Sequence, residues 1–234
     1  MLKPKKKISK KELKHDPLLT SIGQAKTYYD QNKKYLSYAT TGLIVLVIAI
    51  VIFVNNRRAN AEKAATELGK IYKIYDNAAM DKAQYKIAIN GQPERGIMGL
   101  KAIVDNYGSS TSGELARFYL ANAYYNLGQY DEALNQYEDF SSGDPLLAAS
   151  ATAGIASCHE VKKEFGKAAS YYEKALSLAR KSETAAEYMN NAARCYGLAG
   201  ESAKAIELFK KLKKEYPTSS FARDADRYIT QYSI

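Results

Sequence analysis

Loop-forming residues are scarce in this chain of 234 residues, which holds 14 Gly and 5 Pro. With 46% hydrophobic and 25% charged residues it is too apolar to remain disordered. It is also too poor in turn formers for a sandwich of many short strands, and its Ala, Lys, Glu, Leu and Tyr favour helix. Two Cys and two His cannot build a disulfide framework, nor a four-ligand zinc site from Cys and His alone. No nucleophile and base pair or phosphate loop can be identified, and His15 and His159 are remote from each other in sequence. The expectation is therefore a protein that is not an enzyme, with no cofactor, no metal and no small-molecule substrate.

Positive charge, in contrast, is in excess: 34 basic against 25 acidic residues, a formal net of +9. Such an excess points to nucleic acid or an anionic membrane unless it is localised. It is localised. Residues 1–35 carry ten Lys (Lys3, Lys5, Lys6, Lys7, Lys10, Lys11, Lys14, Lys26, Lys33 and Lys34) against Glu12, Asp16 and Asp30, a local net of +7. The rest of the chain holds 24 basic and 22 acidic residues, without the electrostatic footprint that nucleic acid demands.

Directly after this tail, Leu36 to Val54 form 19 residues without a charge. As a helix they rise roughly 28 Å, close to the hydrocarbon thickness of a bilayer. A buried core helix rarely runs as Leu43 to Val54 does, without any polar face. A cleaved signal peptide would place its A-x-A site at Ala59, Asn60 and Ala61, but the preceding tail is long and Arg57 and Arg58 intervene. The stretch reads as an uncleaved transmembrane anchor.

Five basic residues (Arg57, Arg58, Lys63, Lys70 and Lys73) fall in the 20 residues after the span. The larger count before it keeps the tail cytoplasmic and sends the C-terminal part across the membrane. Tyr28, Tyr29, Tyr35 and Tyr38 suit the headgroup region on the tail side. The Lys tail reads first as a topology signal; contact with anionic lipid or ribosomal RNA is the alternative.

The second half repeats itself. Leu120 to Pro145 read as helix, Gly128 turn, helix and terminal Pro145, with Ala121, Tyr124, Gly128, Tyr130, Ala133, Tyr137 and Phe140 in a pattern that resembles the tetratricopeptide repeat (TPR). Ala156, Phe165, Ala168, Tyr172 and Ala175 repeat it, as do Ala193, Tyr196, Gly200, Ala205, Phe209, Leu212 and Pro217. The alanines Ala133, Ala168 and Ala205 are 35 and 37 residues apart. Small residues let the two helices of a hairpin approach, and Gly128 and Gly200 supply the left-handed residue that ends a first helix.

An earlier half repeat is expected at Gly96 to Ser110, with Gly96, Leu100, Ile103 and Tyr107 in the places of Ala205, Phe209, Leu212 and Tyr216. Its first helix should include Glu62 to Asn77, burying Ala61, Ala65, Leu68, Tyr72 and Tyr75. Between them, residues 80–94 read as a short helix and an Asn90, Gly91, Pro93 turn. Phe221, Ala225, Tyr228 and Ile229 share one face of a final capping helix. The fold class is all-α: a tail (1–35), a transmembrane helix (36–54), a juxtamembrane region with a partial repeat (55–93), a TPR α-solenoid (94–218) and a capping helix (219–234).

Cys158 and Cys195 stand at equivalent positions of adjacent first helices, with Ala123 as their counterpart, which favours packing over chemistry. A bridge between them would have to span stacked helices typically 8–10 Å apart, beyond the usual reach of a disulfide. Most of the 20 Tyr, including Tyr124, Tyr137, Tyr172 and Tyr196, fall at packing positions of the repeat. Resemblance to peptide-binding TPR proteins implies that the concave face is lined by Phe118, Asn122, Tyr125 and Asn126, then Ser157 and Glu160, then Asn190 and Arg194. Asn side chains there can hydrogen-bond an extended peptide, and simple solvation is the alternative.

The layout of Lys-rich tail, single span and C-terminal solenoid resembles the YfgM-like family of inner-membrane TPR proteins, from about Tyr28 onwards. The segments AINGQPE and YGSSTSGELA share its character, while the longer Lys tail departs from it. That resemblance implies an accessory of the SecYEG translocon whose partners are translocon subunits and periplasmic chaperones. The other expected roles are a scaffold for a cell-envelope or cell-division complex and an accessory subunit of another membrane complex.

Overall fold

The structure, a computed structural model, describes residues 17–78, 80–179 and 182–233. The Lys-rich tail up to residue 16, including His15, lies outside the described residues. Two compact parts divide between Arg57 and Arg58.

Helix α1 (Pro17–Asn77) begins in the first part and carries the apolar run. Its one non-helical residue is Asn32 (φ −110°, ψ 16°), whose side-chain amide donates to the Tyr28 carbonyl at 2.9 Å. That bond competes with the main-chain ladder and accounts for the local break. The large side chains from Leu43 to Val54 are 41–66% exposed. The run is thus not a core helix of this chain; it is long and apolar enough to cross a membrane.

In the second part, α1 residues 58–77 pack with α2 (Ala83–Asn90), α3 (Leu100–Tyr107) and α4 (Thr111–Asn126) around Leu68, Ile71, Ala88, Ile103, Ala116 and Leu120. The buried stripe of α1 is Ala64, Leu68 and Ile71, whereas Ala65 and Tyr72 are exposed. The expected stripe was rotated by about one residue: Ile71, with no polar tip, is buried in preference to Tyr72, whose hydroxyl stays near water. Gly96 is not in a helix. It sits in the left-handed region (φ 65°) after the 3₁₀ turn Pro93–Arg95. That turn links β1 (Gly91–Gln92) to β2 (Ile97–Met98), antiparallel with Gly91 opposite Met98 and Gln92 opposite Ile97. A short hairpin thus interrupts the otherwise helical fold, and α3 begins only at Leu100.

Three helical hairpins follow: α4 with α5 (Tyr130–Glu138), α6 (Pro145–Val161) with α7 (Phe165–Leu178), and α8 (Ala185–Leu198) with α9 (Ser202–Glu215). Helix α10 (Ser220–Tyr232) packs on α9 and α8. Three first turns are capped by a short acceptor: Ser110 accepts from the Gly113 amide (3.0 Å), Asp144 from Leu146 (2.8 Å) and Ser219 from Ala222 (3.1 Å).

Each hairpin turns on a residue with positive φ: Gly128 (78°), Lys163 (62°) and Gly200 (80°). Counted from that residue, the three copies share one register. Ala121, Ala156 and Ala193 precede it by seven positions and Ala133, Ala168 and Ala205 follow it by five. All six are fully buried, a small residue at the same place in each helix of every hairpin. Phe209, equivalent to Tyr137 and Tyr172, is fully buried and stacks on Tyr228 of α10 at 4.9 Å, which covers the last apolar face.

Candidate functional site

The repeat register places side chains on the first helices α4, α6 and α8 within reach of tyrosines from the second helices. Six residues before the left-handed residue stand Asn122, Ser157 and Arg194; nine after it stand Tyr137, Tyr172 and Phe209. In the first copy the Tyr137 hydroxyl donates to Asn122 Oδ1 at 2.5 Å. In the second, the Tyr172 hydroxyl lies 2.9 Å from Ser157 Oγ and 3.1 Å from a Glu160 carboxylate oxygen. Phe209 has no hydroxyl to offer in the third copy. Arg194 instead reaches back to Glu160 Oε1 at 2.7 Å, joining α8 to α6.

Burial pushes the Tyr137 and Tyr172 phenols well above the ordinary tyrosine range, because a phenolate there would be poorly hydrated. Both remain neutral hydrogen-bonding groups. The Arg194 guanidinium is held further above its usual range by Glu160, against the opposing effect of burial.

The structure therefore gathers Ser157, Glu160 and Arg194 into one polar chain through Tyr172. Tyr125 stands beside Ser157 and Glu160, its own titration raised chiefly by burial, with its ring edge-on to Tyr130 at 5.4 Å. Phe118 and Asn122 form a neighbouring group: Phe118 lies 6.2 Å from Tyr137 and 5.5 Å from Phe140, centroid to centroid. Asn126 is exposed and donates to the Asn122 carbonyl. Asn190 is buried and bonds to its neighbour Asn191 at 3.4 Å. Much of the polar capacity on this face is thus met within the protein, and of the residues named Asn126 is the exposed one.

Cys158 and Cys195 are free thiols, both fully buried. Burial raises Cys158 to about 11 and Cys195 to about 12, so neither is a nucleophile at neutral pH. His159, at the register position of Tyr124 and Tyr196, stacks on Tyr171 (5.3 Å) and pairs through Nδ1 with Glu164 (2.7 Å). It closes the α6–α7 turn. Among the described residues, no group of three His, Cys, Asp or Glu is placed to hold a metal ion.

Among the clefts of the described residues, three border these groups or lie beyond them. One of about 350 Å³ opens between the α3–α4 and α5–α6 loops, lined by Ser110, Glu114, Phe140 and Ser142. A second, about 310 Å³, runs between α1 and α4 past Gly69, Tyr72, Leu115 and Tyr119. The third, about 370 Å³, lies at the β1–β2 hairpin. Sequence reasoning missed all three, and it treated Tyr137 and Tyr172 as packing alone; the signal available was their hydroxyl at a register position otherwise held by Phe.

Charge is also uneven where the totals balance. From 118 to 161 there is no Lys or Arg and there are six acids, Asp131, Glu132, Glu138, Asp139, Asp144 and Glu160. Two of these draw on flanking cations: Lys162 pairs with Asp131, and Arg117 lies 3.7 Å from Asp139.

Comparison with known proteins agrees with the geometry. Residues 115–145 and 147–212 each match the tetratricopeptide repeat. A solved structure of a candidate kinesin light chain from Podosopora anserina, built of nearly identical TPR-like repeats, is similar with a TM-score of 0.53 and 15% identity, covering 70% of this chain and 86% of that one. A point variant of that protein gives a TM-score of 0.53 at 14% identity, covering 70% and 85%. At such identity the likeness is one of fold. No curated protein matches the sequence. The chain carries tetratricopeptide repeats in a TPR-like solenoid, an architecture of protein–protein interaction.

Proposed function

We propose that this protein is a membrane-anchored, non-catalytic adaptor that holds polypeptides or protein partners on its solenoid. The helix containing Leu36–Val54 spans a bacterial inner membrane once, with the Lys-rich tail cytoplasmic and the solenoid periplasmic. It stands beside the Sec translocon and links it to periplasmic chaperones. The observation that carries the reading is the pairing of a TPR-like solenoid with an apolar helix whose side chains find no cover in the chain.

The binding surface is the face of α4, α6 and α8 that presents Phe118, Asn122, Tyr125, Asn126, Ser157, Glu160, Asn190 and Arg194. Tyr125 and Asn126 offer the first hydrogen bonds to an extended segment, and the Glu160–Arg194 pair opens to exchange partners. Support for the translocon comes from the tail, span and solenoid layout, which resembles the YfgM-like family.

Affinity purification of the tagged full chain from mild detergent, followed by mass spectrometry, is the test. Enrichment of translocon subunits and periplasmic chaperones is expected; their absence, with peptidoglycan synthases recovered instead, overturns it in favour of an envelope scaffold. Topology is tested by adding protease to spheroplasts. The solenoid should be cut and the tail protected, and the reverse pattern inverts the orientation.

A further inference from the structure

The segment from α2 to the start of α3 lies before both stretches that match the repeat. Its hairpin forms one side of the cleft of about 370 Å³, whose lining includes Glu67, Asn90, Pro93, Ile97, Met98 and Ala102. Most of this wall is apolar, and the cleft is open to solvent along one side.

Glu67 is the one charged residue that lines it. Its side chain is 19% exposed, and its cation, Lys70 at 2.6 Å, lies one turn along the same helix and is 45% exposed. Such an i,i+3 pair, with its lysine end open to solvent, contributes little and exchanges readily. Asn90, the last residue of α2, brings that helix's carbonyl end to the cleft, and a helix C-terminus favours positive charge. Its amide is already engaged with the Lys86 carbonyl at 3.0 Å, which leaves the side-chain oxygen as an acceptor.

We propose that this cleft binds a polypeptide segment in which an apolar side chain is followed by Lys or Arg. The apolar side chain fills the space between Pro93, Ile97, Met98 and Ala102, while the cation takes the place of Lys70 at Glu67 and faces the end of α2. Apolar burial supplies attraction and the half-enclosed carboxylate supplies selection for sign. An acidic segment is rejected because Glu67 would then face a like charge. The site rests on the reading of this protein as an interaction module and adds a second place of contact to the α4, α6 and α8 face.

The test uses the purified full chain in lipid nanodiscs and a fluorescein-labelled peptide with a Leu-Phe-Lys-Lys core in a Gly-Ser background. Fluorescence anisotropy should show saturable binding, about tenfold weaker for a Leu-Phe-Glu-Glu core. Glu67→Gln should abolish that difference, and Ala102→Phe, which fills the cleft, should weaken both peptides. Methionine-methyl NMR gives a readout that needs no variant: the Met98 signal should shift on titration while the buried Met189 stays in place. No saturable binding of the basic peptide, equal binding of both peptides to the unaltered protein, or a stationary Met98 signal overturns the proposal. Since the peptide is added to purified protein, this result is independent of which partners co-purify from cells.

Discussion

The Arg194 guanidinium lies 2.7 Å from the Glu160 carboxylate and ties the third first-helix of the solenoid to the second. Both side chains are partly enclosed, at 31% and 22% exposure, and Glu160 also accepts the Tyr172 hydroxyl. Removing Glu160 therefore takes from Arg194 its carboxylate partner, while the Tyr172 hydroxyl keeps Ser157. Glu160→Ala should lower stability by about 1–2 kcal/mol in chemical denaturation. A double-mutant cycle with Arg194→Ala should return a coupling of about 1 kcal/mol; additive effects of the two substitutions would show that the pair contributes nothing.

Lys163 occupies, with φ 62°, the left-handed turn position that Gly128 and Gly200 hold in the other hairpins. A side chain there costs roughly 1 kcal/mol because its Cβ crowds the following carbonyl. Lys163→Gly should raise the unfolding midpoint by a corresponding amount, and Gly128→Ala should lower it. A destabilised Lys163→Gly protein would mean that the Lys163 side chain makes a contact worth more than the strain.

The ring of Tyr137 lies directly over Gly154, and that of Tyr232 over Gly197. A methyl group at either glycine would overlap the ring. Gly154→Ala and Gly197→Ala should each destabilise the fold by about 1–3 kcal/mol through overpacking. Gly166 meets only the tip of Glu201 at 4.0 Å, so Gly166→Ala is the control and should be neutral or slightly stabilising in the same thermal melts.

Buried thiols impose a direction on alkaline behaviour. The folded state raises Cys158 to about 11 and Cys195 to about 12, from an ordinary 9.0. Between those values the unfolded chain has released protons that the folded chain still holds. Stability is therefore fully present below about pH 9 and falls as pH climbs towards 11–12. Cys158→Ala/Cys195→Ala should lessen the decline over that window, to which the raised phenols of Tyr137 and Tyr172 also contribute, measured by denaturant titration at stepped pH. Thiol reagents at neutral pH should react only as the protein unfolds.

Legibility differed between parts of the chain for physical reasons. The hairpins from α4 to α9 could be placed because their alanines, aromatics and turn residues recur at matching offsets, and every copy checks the others. Residues 80–99 have no such copy. There the short apolar segments and three glycines fit several local geometries, and the hairpin at Gly91–Met98 emerges through pairing of its two strands. The α1 stripe was displaced by about one residue because Ile71 and Tyr72 are adjacent and both apolar enough to bury; the cluster shared with α2, α3 and α4 takes Ile71.

The sequence alone determined the helical class, the apolar run of Leu36–Val54, the segregation of +7 into the first 35 residues and the repeat register, since each depends on composition or spacing along one chain. Tertiary structure decided which polar groups of the α4, α6 and α8 face are already satisfied, that Glu160 serves both Tyr172 and Arg194, and where the clefts open. Those outcomes depend on distances between residues 12–34 positions apart. Side-chain reach across a helix interface sets such distances, and no periodicity within a single helix contains them.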